Sequence, residues 1–274
     1  MTMFANRRLF TIAALAATTA LAACGGGNDA GNSSGTSGPR TQYERAGDHA
    51  LGSADAPLTV VEYASVACPH CRDFHEEVFP MIEEEFIEDG DVRFVFREML
   101  TGSAPIAMAG FMMTRCVPDD EYFGMIDLLF QQQIAIFQSA RQPGGARAEL
   151  LSVARTAGMS EAEFDACLNN EEHRQSVRDA HDQAIEDGIN STPLFVINGE
   201  LLEARRSNGQ NVYFWGDELI LIDGEPVPGR VDEDTFRTLL NYMLAEARGS
   251  APAETAAPAE AAETEAEGEG ETGE

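Results

Sequence analysis

Leu58-Thr59-Val60-Val61-Glu62-Tyr63-Ala64, followed after Ser65-Val66-Ala67 by Cys68-Pro69-His70-Cys71, decides how this chain is read. The first run is almost wholly apolar and predicts a buried strand. Proline just inside the next stretch suits a helix start, and the pattern predicts a helix from Pro69 to about Asp89, kinked at Pro80. Two thiols then stand one helical turn apart where a strand ends. Unpaired N–H groups and the positive end of the helix dipole favour the thiolate at such a place, so Cys68 is the expected nucleophile. Cys71 is placed to attack a mixed disulfide formed on Cys68.

Outward from this core, Asp91 to Arg97 alternates Val92, Phe94 and Phe96 and reads as a second strand. Helical patterns follow at Ser103–Cys116, Asp119–Phe137, Arg147–Ala157, Ser160–Asn169 and Glu171–Asp187. Asp119 and Ser160 are expected N-caps, and Ser160 with Glu163 makes a capping-box pattern. Leu194 to Ile197 reads as a strand entering a turn at Asn198-Gly199. Asn211–Trp215 and Glu218–Ile222 are expected β structure, and Asp232–Arg248 a closing amphipathic helix. The order predicts an α/β fold with a mixed β-sheet and helices inserted between its halves.

Three features, at separate places, resemble the DsbA-like thiol:disulfide oxidoreductases of the thioredoxin superfamily. They are Cys68-Pro69-His70-Cys71, Glu62 six residues before Cys68, and Thr192-Pro193 ahead of a strand. The resemblance spans about residues 50 to 200. It implies a thioredoxin fold with an inserted helical subdomain at about 101–170, a cis peptide before Pro193, and a client peptide pairing with the Thr192 backbone. It also implies that Glu62 relays the proton of Cys71, while the His70 imidazole stabilises the Cys68 thiolate. Related enzymes have a second bridge, so Cys116 and Cys167 are expected to form a structural disulfide; two buried free thiols are the alternative.

Residues 1–23 resemble a bacterial lipoprotein signal: Arg7 and Arg8, an apolar run, then Leu21-Ala22-Ala23 before Cys24. Cys24 would then carry lipid, residues 24–45 would be a linker, and the body would lie in an oxidising envelope space. Gly25 is not the Asp associated with inner-membrane retention in some bacteria, which favours the outer membrane. The plainer alternative is an ordinary signal peptide cut near Ala23. Residues 46–248 read as one domain. Residues 249–274, with eight glutamates and no basic residue, read as a disordered tail.

The net charge is −29, all 18 basic residues are arginine, and such acidity excludes the basic surface that nucleic-acid binding uses. One C-x-x-C without a second pair at zinc spacing gives no metal site, although Cys68, Cys71 and His75 can be combined on paper. No cofactor is expected. Met99, Met108, Met112, Met113 and Met125 read as core, with an adaptable client groove as the alternative. The leading functional expectation is a monomeric envelope oxidase that passes a disulfide from Cys68-Cys71 to reduced exported proteins and is reoxidised by a DsbB-like membrane partner. An isomerase or reductase kept reduced, and a tethered client-binding protein without catalysis, are the competing readings.

Overall fold

The computed structural model describes Tyr43, Arg45 and residues 48–249. The signal, Cys24, most of the 24–45 linker and all of the acidic tail except Gly249 lie outside the described residues.

After the two-residue strand β1 (Ala50–Leu51) comes β2 (Leu58–Ala64), bounded as the apolar run predicts. The helix expected from Pro69 divides into α1 (Pro69–Glu77), α2 (Phe79–Ile82) and a π-helical turn at Glu83–Ile87. The break falls at Val78, two residues before Pro80, whose missing N–H suits the start of α2 rather than the interior of one long helix. Strand β3 (Val92–Glu98) follows and runs parallel to β2, with Glu62 opposite Phe96.

After β3 come α3 (Ala104–Thr114), a 3-10 turn (Asp119–Glu121), α4 (Tyr122–Gln131), α5 (Gln133–Ala140), α6 (Arg147–Thr156), α7 (Glu161–Leu168) and, past the insertion expected at about 101–170, α8 (Glu171–Glu186). Ser160 caps α7 with the full capping box. Asp119 does not cap a helix: Pro118 sets an extended backbone before it, Asp119 opens the 3-10 turn, and α4 starts only after Glu121. The single helix expected over 119–137 is also broken, at Gln132.

The chain then returns through β4 (Leu194–Ile197), β5 (Glu200–Ser207), β6 (Gln210–Trp215) and β7 (Glu218–Leu219). A separate two-stranded pair, β8 (Leu221–Ile222) and β9 (Glu225–Pro226), precedes α9 (Glu233–Ala247). Asn198 and Gly199 both have positive φ, 48° and 88°, as a tight two-residue hairpin turn requires. The Asn198 carboxamide also bridges back to β2, accepting from the Thr59 N–H at 2.8 Å.

The seven-stranded sheet has the order β1-β3-β2-β4-β5-β6-β7, with β2 parallel to β3 and antiparallel to β4. Residues alternate in use along β2. Leu58 and Val60 face a core shared with Phe74 of α1 and Phe236 of α9, whereas Val61 and Tyr63 face Ala184 of α8. The helical block builds its own core, in which Met112, Met113 and Met125 are buried and Met108 packs alongside; Met99 lies in the sheet's α8-side cluster. The methionines therefore fill core. β2, buried on both faces near the middle of the sheet, ends directly beneath the Cys-Pro-His-Cys turn.

Candidate active site

Cys68 is the N-cap residue of α1, extended at φ −98° and ψ 121°, with Pro69 at the first helical position. Its N–H donates to the Ser65 carbonyl at 2.9 Å, which closes the turn leaving β2. Cys68 is 8% exposed and Cys71 fully buried, and neither is in a disulfide. The Cys71 thiol donates towards Cys68 and brings the Cys68 thiol down to about 5. Burial opposes this, and the Thr192 side chain with the N–H groups of Cys71 and His70 assists. Cys71 is pushed well above its ordinary value, first by burial, then by its bond to Cys68 and the negative field of Glu62. Two neighbouring sulfurs are thus driven in opposite directions.

His70 acts on this site through its main chain. Its imidazole is 83% exposed, with Nδ1 4.0 Å from Asp73, because a side chain in the first turn projects off the helix axis while the N–H groups point along it to Cys68. Beside the imidazole contribution expected of His70, its main-chain N–H also favours the Cys68 thiolate.

Across the turn, the Thr192–Pro193 peptide is cis, and the Thr192 carbonyl oxygen lies 3.4 Å from Cys68 Sγ. The Thr192 hydroxyl is 2.6 Å from that of Thr101. Thr101 is anchored in turn, since its carbonyl accepts from Ser65 Oγ at 3.0 Å. Beside it Gly102 (φ 72°) packs so closely that an added Cβ would stand 2.2 Å from the Ala67 carbonyl oxygen. Gln133, buried, donates from Nε2 to the carbonyls of Val66 at 2.9 Å and Cys68 at 3.0 Å. The break between α4 and α5 brings this carboxamide under the turn. A groove lined by His70, Asp73, Glu77, Thr192, Pro193 and Val231 opens beside the pair.

Glu62 is fully buried, and His75 Nε2 lies 2.8 Å from its Oε2. His75, combined on paper with the two cysteines as a metal ligand, is occupied by this carboxylate instead. Among the described residues, the one cluster with metal-ligating spacing is Cys116, Cys167 and His173, and its two sulfurs are bonded to each other. That disulfide ties the chain just beyond α3 to α7 with Cα atoms 6.1 Å apart. Sequence reading missed Thr101, Gln133 and His75 as site residues. Only His75 carried a signal: it lies one turn after Cys71 on the buried side of α1, as Glu62 lies in the buried strand beside it.

A family model described as Thioredoxin matches residues 44–210, more than half of the chain. A Rickettsia typhi protein named as a protein-disulfide oxidoreductase is 27% identical over 154 residues, 56% of this chain and 55% of that protein. Disulfide bond formation protein D of Bacillus subtilis is 36% identical over 101 residues, 36% of this chain and 45% of that protein. The chain thus spans about half the length of the curated relatives it matches. The crystal structure of Wolbachia pipientis alpha-DsbA1 shares the fold, with a TM-score of 0.58 and 22% identity over 75% of this chain and 95% of that one. Among the described residues no helix is long and apolar enough to cross a membrane.

Proposed function

Because the chain belongs to the thioredoxin family, we propose that it is a thiol:disulfide oxidoreductase of the bacterial envelope, which passes the Cys68-Cys71 disulfide to reduced exported proteins. The observation that carries this reading is the opposed pair of thiols: Cys68 held down to about 5 and partly accessible, Cys71 raised and buried. A sulfur that is comfortable as a thiolate is a good leaving group, so a disulfide containing Cys68 is a strong oxidant. The names of the curated relatives support the same chemistry.

In this mechanism a client thiolate attacks Cys68 Sγ. The Cys68–Cys71 bond breaks and its electron pair goes to Cys71 Sγ, which takes a proton relayed from solvent through Glu62. A second client thiolate then attacks the client sulfur of the mixed disulfide, the client disulfide forms, and Cys68 leaves as the thiolate. Two electrons pass from client to enzyme. The Thr192 backbone beside Cys68 offers main-chain pairing to an extended client segment. Return to the oxidised form requires a disulfide donor, for which the reading supplies a DsbB-like membrane partner, with lipid on Cys24 anchoring the monomer at the membrane, in favour of the outer one.

The test is oxidation of a reduced two-cysteine client by the oxidised chain, with C68S as control, joined to the redox state of the pair in cells. Client oxidation lost in C68S, with the pair mainly oxidised in cells, is the expected result. A mainly reduced pair would replace this reading with the isomerase or reductase, and aggregation suppression that persists in C68S without any disulfide transfer would leave only client binding.

A further inference from the structure

Glu62 and His75 form a buried polar pair, with Asp127 of α4 near enough to feel the charge of His75. Glu62 stands opposite Phe96 on one neighbouring strand and Phe195 on the other. The His75 ring stacks on Phe130 with centroids 4.5 Å apart, lies 4.9 Å from Phe79, and meets Phe74, Phe94 and Phe96 edge-on. Replacing a buried polar pair with well-packed apolar side chains is often neutral or stabilising, so packing alone gives this pair no purpose. Its accounting is also incomplete: Glu62 Oε1 and His75 Nδ1 are buried and have no hydrogen-bond partner. The fully buried Cys71 lies within the field of the same carboxylate.

We propose that His75 is a positioning residue for thiol exchange: its Nε2–H donates to Glu62 Oε2, which fixes the orientation of the buried carboxylate and leaves Oε1 as the free acceptor for the Cys71 proton. This rests on the reading of the Cys68-Cys71 pair given above and assigns Glu62 a defined geometry within it. In the resolving step the Cys71 thiol gives its proton to Glu62 Oε1. The Cys71 sulfur attacks Cys68 Sγ, the Cys68–Cys71 bond forms, and the bond from Cys68 to its partner sulfur breaks. The partner leaves as a thiolate with the electron pair, and the proton on Glu62 passes to solvent afterwards. Without His75 the carboxylate loses the bond that orients it, and the Cys71 proton has no fixed acceptor.

The experiment uses the full chain with Cys68 converted to its mixed disulfide with thionitrobenzoate, whose coloured release reports the attack by Cys71. H75F, which suits the phenylalanine surroundings, should slow release about tenfold. H75Q, which retains an N–H donor, should recover part of the rate. Alkylation of Cys68 in the reduced protein should stay within about twofold of the parent, a separation that general loosening of the fold does not produce. H75F should have no further effect in an E62Q background, and the E62L/H75F double variant should fold yet release slowly. Release as fast as the parent in H75F, or an equal slowing by H75F with and without Glu62, overturns the proposal. Client oxidation by the parent is measured separately, so failure of the envelope function and failure of the His75 role give different results.

Discussion

Thr101 and Thr192, whose carbonyl lies 3.4 Å from Cys68 Sγ, hold their hydroxyl oxygens 2.6 Å apart. Each hydroxyl has one proton to give. If the Thr192 proton faces the Cys68 thiolate, Thr101 must be the donor within the pair. T192V removes a donor to the anion, a bond worth roughly 1.5–3 kcal/mol when the acceptor is charged. The expected result is a rise in the Cys68 titration midpoint of about one pH unit or more, read from thiolate absorbance, with a weaker oxidant in glutathione equilibrium. T101V should shift both in the same direction but less, since it removes only the polarising partner.

Stability should depend on pH differently in the two redox states. Cys68 titrates near 5 when folded against an ordinary 9.0, so between these values the unfolded chain binds a proton that the folded chain does not. The reduced form therefore gains stability relative to the oxidised form as pH rises through that window, and loses it as pH falls through about 5. Above about 9 the raised Cys71 reverses the slope, because the folded chain then keeps a proton that the unfolded chain has lost. Denaturant midpoints of both forms across this range would show a reduced-minus-oxidised difference that climbs and then declines; a flat difference would contradict the thiol assignments.

Removal of the Cys116–Cys167 bridge, which closes a separation of 51 residues, should destabilise the chain by about 2–4 kcal/mol. In C116S/C167S the amides of α3 and α7 should exchange faster, while the Cys68 titration stays in place. A shift in Cys68 would mean that the helical block is coupled to the thiol pair.

G102A should be costly because the new Cβ meets the Ala67 carbonyl and the backbone has positive φ. Destabilisation of about 1–3 kcal/mol is expected, with faster alkylation of Cys71 as the turn loosens. G144A, also at positive φ but with open space around its Cβ, separates backbone strain from the clash.

Strand β2, the start of α1, the capped α7 and the Asn198-Gly199 hairpin were legible because each rests on local rules: an apolar run, a proline at a helix start, a reciprocal cap, a two-residue turn. Strand β5 was not. Glu200-Leu201-Leu202-Glu203-Ala204-Arg205-Arg206 carries charges on both faces beyond its first turn, and its strand identity comes from pairing with β4 and β6. The candidate site divides in the same way. Cys68, Cys71, Glu62 and Thr192 stand in a recognisable order, whereas Thr101 and Gln133 come from distant loops and helix breaks. Their positions depend on tertiary packing, and glutamine and threonine are too common to draw attention alone. The main-chain contribution of His70 carries no sequence signal, since every residue of a first helical turn has an N–H to offer.

The depth of Cys71 beneath Cys68 also governs what happens when the attacking reagent is a peroxide. A thiolate that persists down to about pH 5 reacts with peroxide to give a sulfenic acid and stands at the head of an irreversible oxidation series. Here the sulfenic sulfur would form against a thiol already in contact with it, and attack by Cys71 expels water and closes the Cys68–Cys71 bond. The product is the ordinary oxidised state, so the same arrangement that separates the two sulfurs chemically also keeps the reactive one from damage.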